Sequence, residues 1–123
     1  MKIKRTFEAK ICVGFREGYT QTMHTLAEVY DIVGEYCNKN GLCVTVTPTR
    51  FIYSKGPGIP DGWEDGAFIG LIAYPRFPAS KYDIVGTAID LADVFIEKFK
   101  QNRISIIASD QTYMREREDL KNE

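Results

Sequence analysis

Several arginines of this chain stand beside aromatic residues or at the ends of predicted elements. They are Arg50, Arg76, Arg103, Arg115 and Arg117, with Phe51 and Phe77 directly after the first two. A guanidinium group forms paired hydrogen bonds with a phosphate, and an aromatic ring stacks on a base. This combination predicts a site for a small nucleotide; the alternative is a set of solvated arginines at turn boundaries.

The segment YPRFP, residues 74–78, holds an arginine and a phenylalanine between two prolines. Proline fixes the backbone, so Arg76 and Phe77 would lose little conformational entropy on binding a ligand. A strand-to-helix connector, with Phe77 packed onto the following helix, explains the same residues.

Three carboxylates, Asp61, Glu64 and Asp65, surround Trp63 in a stretch rich in Gly and Pro, residues 54–66. Neighbouring carboxylates can act as acid and base or hold a divalent metal. Nothing in this stretch predicts a fixed geometry for them, so we interpret it as a solvated loop. Its glycines match no phosphate-cradling motif.

Histidine and cysteine chemistry is sparse. His24 is the single histidine, and its place near the apolar face of a predicted helix favours packing or surface exposure. Cys12, Cys37 and Cys43 are odd in number and match neither a disulfide framework nor a metal motif, which predicts reduced thiols. We therefore expect a protein that is not an enzyme, with no metal and no cofactor, although carboxylate-based catalysis stays open.

Length and charge narrow the classes further. The chain has 123 residues, which fits one domain, and its 16 basic against 17 acidic residues argue against binding long nucleic acid. No apolar run approaches the roughly 18 to 20 residues that cross a bilayer. The N-terminal residues lack the apolar stretch of a secretion signal, so we expect a cytoplasmic protein without membrane contact.

The elements that must position these residues follow from hydrophobic periodicity. Strands are predicted over residues 6–15, 42–47, 67–74 and 103–108, and helices over residues 21–40 and from Ser80 onward. Residues 50–53 also look extended, and Pro48 indicates a bend or an edge position between them and the second strand. Ser80 with Asp83 forms a capping box for the second helix.

The order of elements predicts an α+β fold in which two helices pack on one face of an antiparallel sheet. This is the βαββαβ, ferredoxin-like split βαβ arrangement. We expect one ligand-binding domain over residues 1–114 and a charged C-terminal tail over residues 115–123, with polar sequence from Asp110 onward. The second helix also carries two apolar stripes, which indicates packing against the other helix or another subunit.

Five segments together resemble the phage-encoded Thoeris anti-defence sponge family. They are VTVTPTRFIY (44–53), IGLIAYPRFP (69–78), the second predicted helix, RISII (103–107) and SDQTYM (109–114). The resemblance implies a protein that binds and sequesters cyclic ADP-ribose isomers such as glycocyclic ADP-ribose, without cleaving them, in the cytoplasm of the infected bacterial host. It also implies ligand pockets at a dimer interface, assembly of dimers into hexamers, and possible capture of cyclic di- and trinucleotides at a separate site.

The resemblance carries residue roles with it. Arg50 and Arg103 are expected at the pyrophosphate or ribose, and Phe77 on the adenine. The full set of expected ligand-binding residues is Arg50, Arg76, Phe77, Arg103, Asp110, Thr112, Met114 and Arg115. Two other functions are consistent with the residues: a protein-interaction inhibitor of a host defence factor, acting through the second helix, and a metal-dependent nucleotide hydrolase that uses Asp61, Glu64 and Asp65.

Overall fold

Five strands and two helices make up the chain in a computed structural model, which describes residues 1, 3, 5–18, 20–56, 61–72 and 79–118. In chain order they are β1 (Glu8–Gly14), α1 (Leu26–Asn40), β2 (Thr45–Ile52), β3 (Trp63–Ile72), α2 (Lys81–Phe99), β4 (Arg103–Ala108) and β5 (Thr112–Glu116). The strands form one sheet in the order β2-β3-β1-β4-β5, and every neighbouring pair is antiparallel. The predicted α+β class is confirmed.

The β2–β3 hairpin differs from the prediction in two ways. The predicted strand over residues 42–47 and the extended run over residues 50–53 form one strand through Pro48, because β2 lies at the sheet edge, where a missing backbone donor is tolerated. β3 begins at Trp63, so the predicted loop over residues 54–66 ends earlier, and Ile52 pairs with Trp63. Glu64 and Asp65 therefore lie in a strand.

β5 lies in the segment expected to be a polar tail from Asp110 onward. It occupies the second edge of the sheet, where polar and charged side chains can face solvent. Tyr113 is its partly buried apolar contact with the core. A single inward-facing apolar side chain gives too weak an alternation to reveal the strand in the sequence.

Both helices begin and end at the signals that local chemistry provides. Thr25 caps α1 through a hydrogen bond from Glu28 N, and Gly41 ends the helix in the left-handed conformation at φ 63°. The capping box of Ser80 and Asp83 starts α2, as predicted. No helix in the described part of the chain is both long and apolar enough to cross a membrane.

The core lies between the helices and one face of the sheet. Its members are Ala9, Ile11, Val13, Phe15, Val29, Val33, Ala67, Ile69, Leu71, Ile84, Ala88, Leu91, Ala92, Phe95, Ile96, Phe99, Ile104 and Ile106. Because successive strand residues point to opposite faces, the alternate positions form a second face, which we call the open face. Its members in the three central strands are Glu8, Lys10, Cys12, Gly14, Glu64, Gly66, Phe68, Gly70, Ile72, Arg103, Ser105 and Ile107.

Candidate functional site

Glu64 stands on the open face where the sheet leaves space for its carboxylate. Gly14 of β1 pairs with Gly66 of β3, two residues beyond Glu64, so neither strand presents a side chain there. A Cβ atom added at Gly14 would lie 2.7 Å from Cδ and Oε2 of Glu64. The carboxylate thus lies directly against the Gly14 backbone, an approach that only glycine permits.

Two donors fix that carboxylate in place. The Tyr53 hydroxyl donates to Oε1 of Glu64 at 3.0 Å, and the backbone N–H of Arg16 donates to Oε2 at 3.1 Å. Burial, the negative charge of Glu64 and this hydrogen bond raise the pKa of Tyr53 above its ordinary value. Tyr53 is therefore a neutral donor near neutral pH, and Glu64 is an oriented carboxylate.

The loop between β1 and α1 carries Arg16 to the same place. Phe15 N donates to Asp65 O at 3.0 Å, Glu17 N donates to Thr22 O at 2.9 Å, and His24 N donates to Phe15 O at 2.7 Å. These backbone bonds close the loop onto the end of β3 and onto itself. The loop is ordered by its own hydrogen bonds, before any ligand is considered.

Arg16 is buried at this point, with 7% of its surface exposed. Its Nη1 donates to Thr20 O and to Gln21 Oε1, both at 3.2 Å. Gln101, at the end of α2, donates from Nε2 to Arg16 O at 2.5 Å. Arg16 is therefore held from its own loop and from the helix side of the fold.

These groups line one pocket of about 200 Å³. The lining residues are Arg16, Gly18, Tyr53, Glu64, Gln101, Asn102 and Arg103. The lining residues carry a carboxylate, a phenol, two amides and two guanidinium groups, so the pocket suits a small polar or zwitterionic group. We take this pocket as the candidate site.

A larger cavity of about 600 Å³ lies between the end of α2 and β5. It contains Arg115, which donates two hydrogen bonds to Asp93 at 3.0 and 2.8 Å. This pairing satisfies the charge of Arg115 within the chain. The smaller pocket is the better candidate because an oriented carboxylate and a buried arginine are both among its lining residues.

The residues predicted to bind the ligand are spread over the fold. Arg103 lines the pocket, and its Nε lies 3.8 Å from Oε2 of Glu116. Arg50 pairs with Asp65 at 2.8 Å, and its Cζ lies 3.9 Å above the Trp63 ring. The Arg50 group belongs to the face of the sheet opposite Glu64.

The remaining predicted residues lie near the β4–β5 edge or outside the described chain. Asp110 forms an ion pair with Lys81 at 2.6 Å. Thr112 and Met114 are exposed in β5 and pair with residues of β4. Arg76 and Phe77, in the YPRFP segment, lie outside the described residues. The eight residues stay a prediction, and the pocket contains one of those that are described.

The prediction of a solvated acidic loop is wrong for Glu64, because the strand, Gly14 and two donors fix its carboxylate. Asp65 points to the opposite face, where it binds Arg50. The described residues contain no group of three or more acidic, cysteine or histidine side chains that could hold a metal. The three carboxylates of the predicted hydrolase are thus not gathered into one metal site.

Tyr53 and Arg16 were not predicted as site residues. Arg16 N and Glu64 lie 48 positions apart in the chain and meet only through the pairing of β1 with β3. The facing pair of Gly14 and Gly66 is the sequence signal that could have marked the space, since glycine inside strands often marks a close approach.

His24 packs, as predicted. Its ring stacks on Phe99 with ring centroids 4.1 Å apart and 2° between the planes. Its nitrogens lie 2.6 Å from Glu28 and 2.9 Å from Glu17. His24 thus ties the Arg16 loop to both helices.

The fold and the pocket define a small α+β protein with an oriented carboxylate on the open face of its sheet. Solved structures of the same fold are phage SAM lyase with S-methyl-5'-thioadenosine bound and phage SAM lyase in its apo state. Both have a TM-score of 0.71, at 22% and 20% identity, and cover 96% of this chain and 98% of their own chains. No family model and no curated protein matches the sequence.

This comparison corrects the expectation that the protein is not an enzyme, because both structures of this fold are lyases. That expectation rested on the scarcity of histidine, but proteins of this fold include enzymes. The phage origin of both neighbours agrees with the phage family that the sequence resembles. Neither structure is a Thoeris sponge or contains cyclic ADP-ribose.

Proposed function

We propose that this protein is a lyase that cleaves S-adenosylmethionine and releases S-methyl-5'-thioadenosine. The observation that carries the proposal is the shared fold over 96% of the chain with a SAM lyase that holds this thioadenosine. The pocket around Glu64 supports it, since a cationic sulfonium ligand is attracted to a fixed carboxylate. The activity is a proposal for this chain, because the likeness at 22% identity establishes the fold.

The reaction needs neither water nor metal to balance. The bond between sulfur and the four-carbon amino-acid fragment breaks, and its electron pair goes to sulfur, which becomes a neutral thioether. The carbon is then satisfied in one of two ways. Either a carboxylate oxygen of the substrate attacks it and a lactone forms, or the neighbouring carbon loses a proton to a base and an alkene forms.

Glu64 and Tyr53 suit both routes. In the elimination, the Glu64 carboxylate accepts the proton; in the lactone route, it orients the cationic substrate and stabilises no new charge. Tyr53 holds the carboxylate as a neutral donor because its pKa is raised. Neither role requires a histidine, which fits a chain with one histidine that is used for packing.

The test is incubation with S-adenosylmethionine, followed by chromatography and mass spectrometry of the products. We expect thioadenosine to accumulate, and the NMR spectrum of the four-carbon product to distinguish a lactone from an alkene. Glu64→Gln should lower kcat/KM by about 100-fold or more, the usual range for a lost acid–base or electrostatic group. Asp65→Asn is the matched control, because it changes the adjacent carboxylate on the opposite face of the sheet.

Two results would count against the proposal. One is an absence of thioadenosine at any protein concentration. The other is a Glu64→Gln rate equal to the Asp65→Asn rate, which would place the activity elsewhere. Loss of activity with EDTA in both variants and in the native chain would instead favour metal-dependent hydrolysis.

A cyclic ADP-ribose isomer is the second candidate ligand. Two guanidinium groups, Arg16 and Arg103, line the pocket, and paired guanidiniums bind pyrophosphate well. Calorimetry with glycocyclic ADP-ribose tests this, with the products analysed afterwards. Binding of that isomer by a chain that leaves S-adenosylmethionine intact would favour it. The predicted assembly of dimers into hexamers is tested in the same samples by native mass spectrometry.

A further inference from the structure

Arg16 is a buried cation that forms no ion pair in the described part of the chain. It is 7% exposed, and none of the ion pairs formed by the described residues includes it. The two oxygens that accept hydrogen bonds from its side chain are the backbone O of Thr20 and Oε1 of Gln21, and both are neutral. Its Nε is buried and has no hydrogen-bond partner among the described residues.

Such a group is rarely left unsatisfied. A buried ion normally has a charged partner, and a buried donor without an acceptor loses the hydrogen bonds that water would give it. The loop hydrogen bonds and Gln101 hold Arg16 in place in spite of this loss. A negatively charged group supplied from outside the chain would give this cation the partner that the described residues do not supply.

The surroundings say which kind of acceptor fits. Arg16 lines the pocket that contains Glu64, so the pocket has a positive and a negative group. At about 200 Å³ it is smaller than the roughly 300 Å³ at which pockets begin to hold whole drug-sized ligands. It therefore suits one end of a ligand, and an end that carries both charges is an amino-acid group.

We propose that Arg16 anchors the carboxylate of the substrate through its guanidinium group, while Glu64 faces the cationic groups of the same ligand. This rests on the proposed function, since S-adenosylmethionine carries one anionic group, its carboxylate. The adenosine part then lies outside the pocket. Arg16 in this role determines specificity for ligands that retain the carboxylate.

Calorimetry with three ligands tests the proposal without turnover. Sinefungin keeps the amino-acid end and replaces the sulfonium by carbon, its methyl ester lacks the anionic charge, and S-methyl-5'-thioadenosine lacks the whole amino-acid end. The native chain should bind sinefungin about 10- to 100-fold more tightly than the ester, as expected for a charge-assisted hydrogen bond. Arg16→Met should bind both equally and keep the thioadenosine affinity of the native chain.

The comparison of sinefungin with its ester in the native chain needs no variant, so it tests the role of Arg16 even if Arg16→Met does not fold. A thermal melt shows whether Arg16→Met is folded. Equal binding of sinefungin and its ester by the native chain, or discrimination that survives in a folded Arg16→Met protein, overturns the role of Arg16. Inorganic pyrophosphate is the last probe. If none of the nucleosides binds, but pyrophosphate binds and Arg16→Met abolishes its binding, the anion site stands and the proposed substrate fails. If pyrophosphate does not bind either, both proposals fail.

Discussion

Replacing Gly14 with alanine is the most direct test of how the sheet holds Glu64. The new Cβ atom would lie 2.7 Å from Cδ of the Glu64 carboxyl group. Gly14 is not among the glycines with positive φ, so its backbone accepts alanine without strain. The clash therefore falls on the far end of one flexible side chain, and the fold is retained.

The size of the effect follows from these contacts. The carboxylate has to retreat by about 0.7 Å to reach ordinary contact at 3.4 Å. A movement of this size disturbs the 3.0 Å hydrogen bond from Tyr53 and the 3.1 Å hydrogen bond from Arg16 N. Since a displacement of about 1 Å in a catalytic group costs about 100-fold in rate, we expect kcat/KM for S-adenosylmethionine to fall by roughly that factor.

Two assays measure it: the rate of thioadenosine release, and the absorbance titration of tyrosine, which should show the Tyr53 pKa moving back toward its ordinary value. Gly86→Ala is the control, because a Cβ atom there meets nothing within 4 Å on an exposed helix face. It should leave the rate unchanged and raise the free energy of unfolding by about 0.5 to 1 kcal/mol. Native rate and native tyrosine titration in Gly14→Ala would refute the account of Glu64 given above.

Three further outcomes follow. Subtracting the alkaline absorbance titration of Tyr53→Phe from that of the native chain should isolate a phenol that ionises above the ordinary pKa of about 10. A difference centred at or below about 10 would contradict the hydrogen bond to Glu64. Gly66→Ala should destabilise the chain by about 1 to 3 kcal/mol in urea unfolding, because its Cβ would meet a backbone carbonyl of β1; unchanged stability would disprove the register there. The hydrogen bond from Lys81 lowers the pKa of Asp110, so the pair stabilises the fold above the ordinary Asp pKa of about 3.9 and this contribution is lost as the pH falls through the lower folded pKa. The small difference in melting temperature between the native chain and Asp110→Asn should accordingly shrink below about pH 4, and a constant difference would argue against the pair.

The elements that were predicted correctly are those with local signals. The capping box of Ser80 marks the start of α2, and the isoleucine-rich segment RISIIA marks β4. β5 escaped prediction because an edge strand can be polar on nearly every residue. The start of β3 was not predicted, because the high Gly and Pro content of residues 54–66 favours a loop over a strand that carries Glu64 and Asp65.

The candidate site could not be predicted from local sequence at all. Tyr53 reaches Glu64 because β2 and β3 pair as a hairpin, and Arg16 reaches it because β1 lies on the other side of β3. The register of these pairs is a tertiary result. Arginines beside aromatic residues are visible in the sequence. In the structure, however, Arg50 forms an ion pair with Asp65 and a cation–π contact with Trp63.

The sheet has a face covered by the helices and an open face, and substitutions on the two faces are expected to have different effects. Substitutions in the helices and in the layer beneath them act mainly on folding, since those side chains form the core. Substitutions at Gly14 and Glu64 themselves would act mainly on the proposed ligand chemistry, because that face carries the pocket and little of the core. A chain built in this way can gain stability from its helices, at positions such as Gly34 and Gly86, while its open face is free to adapt to a different ligand.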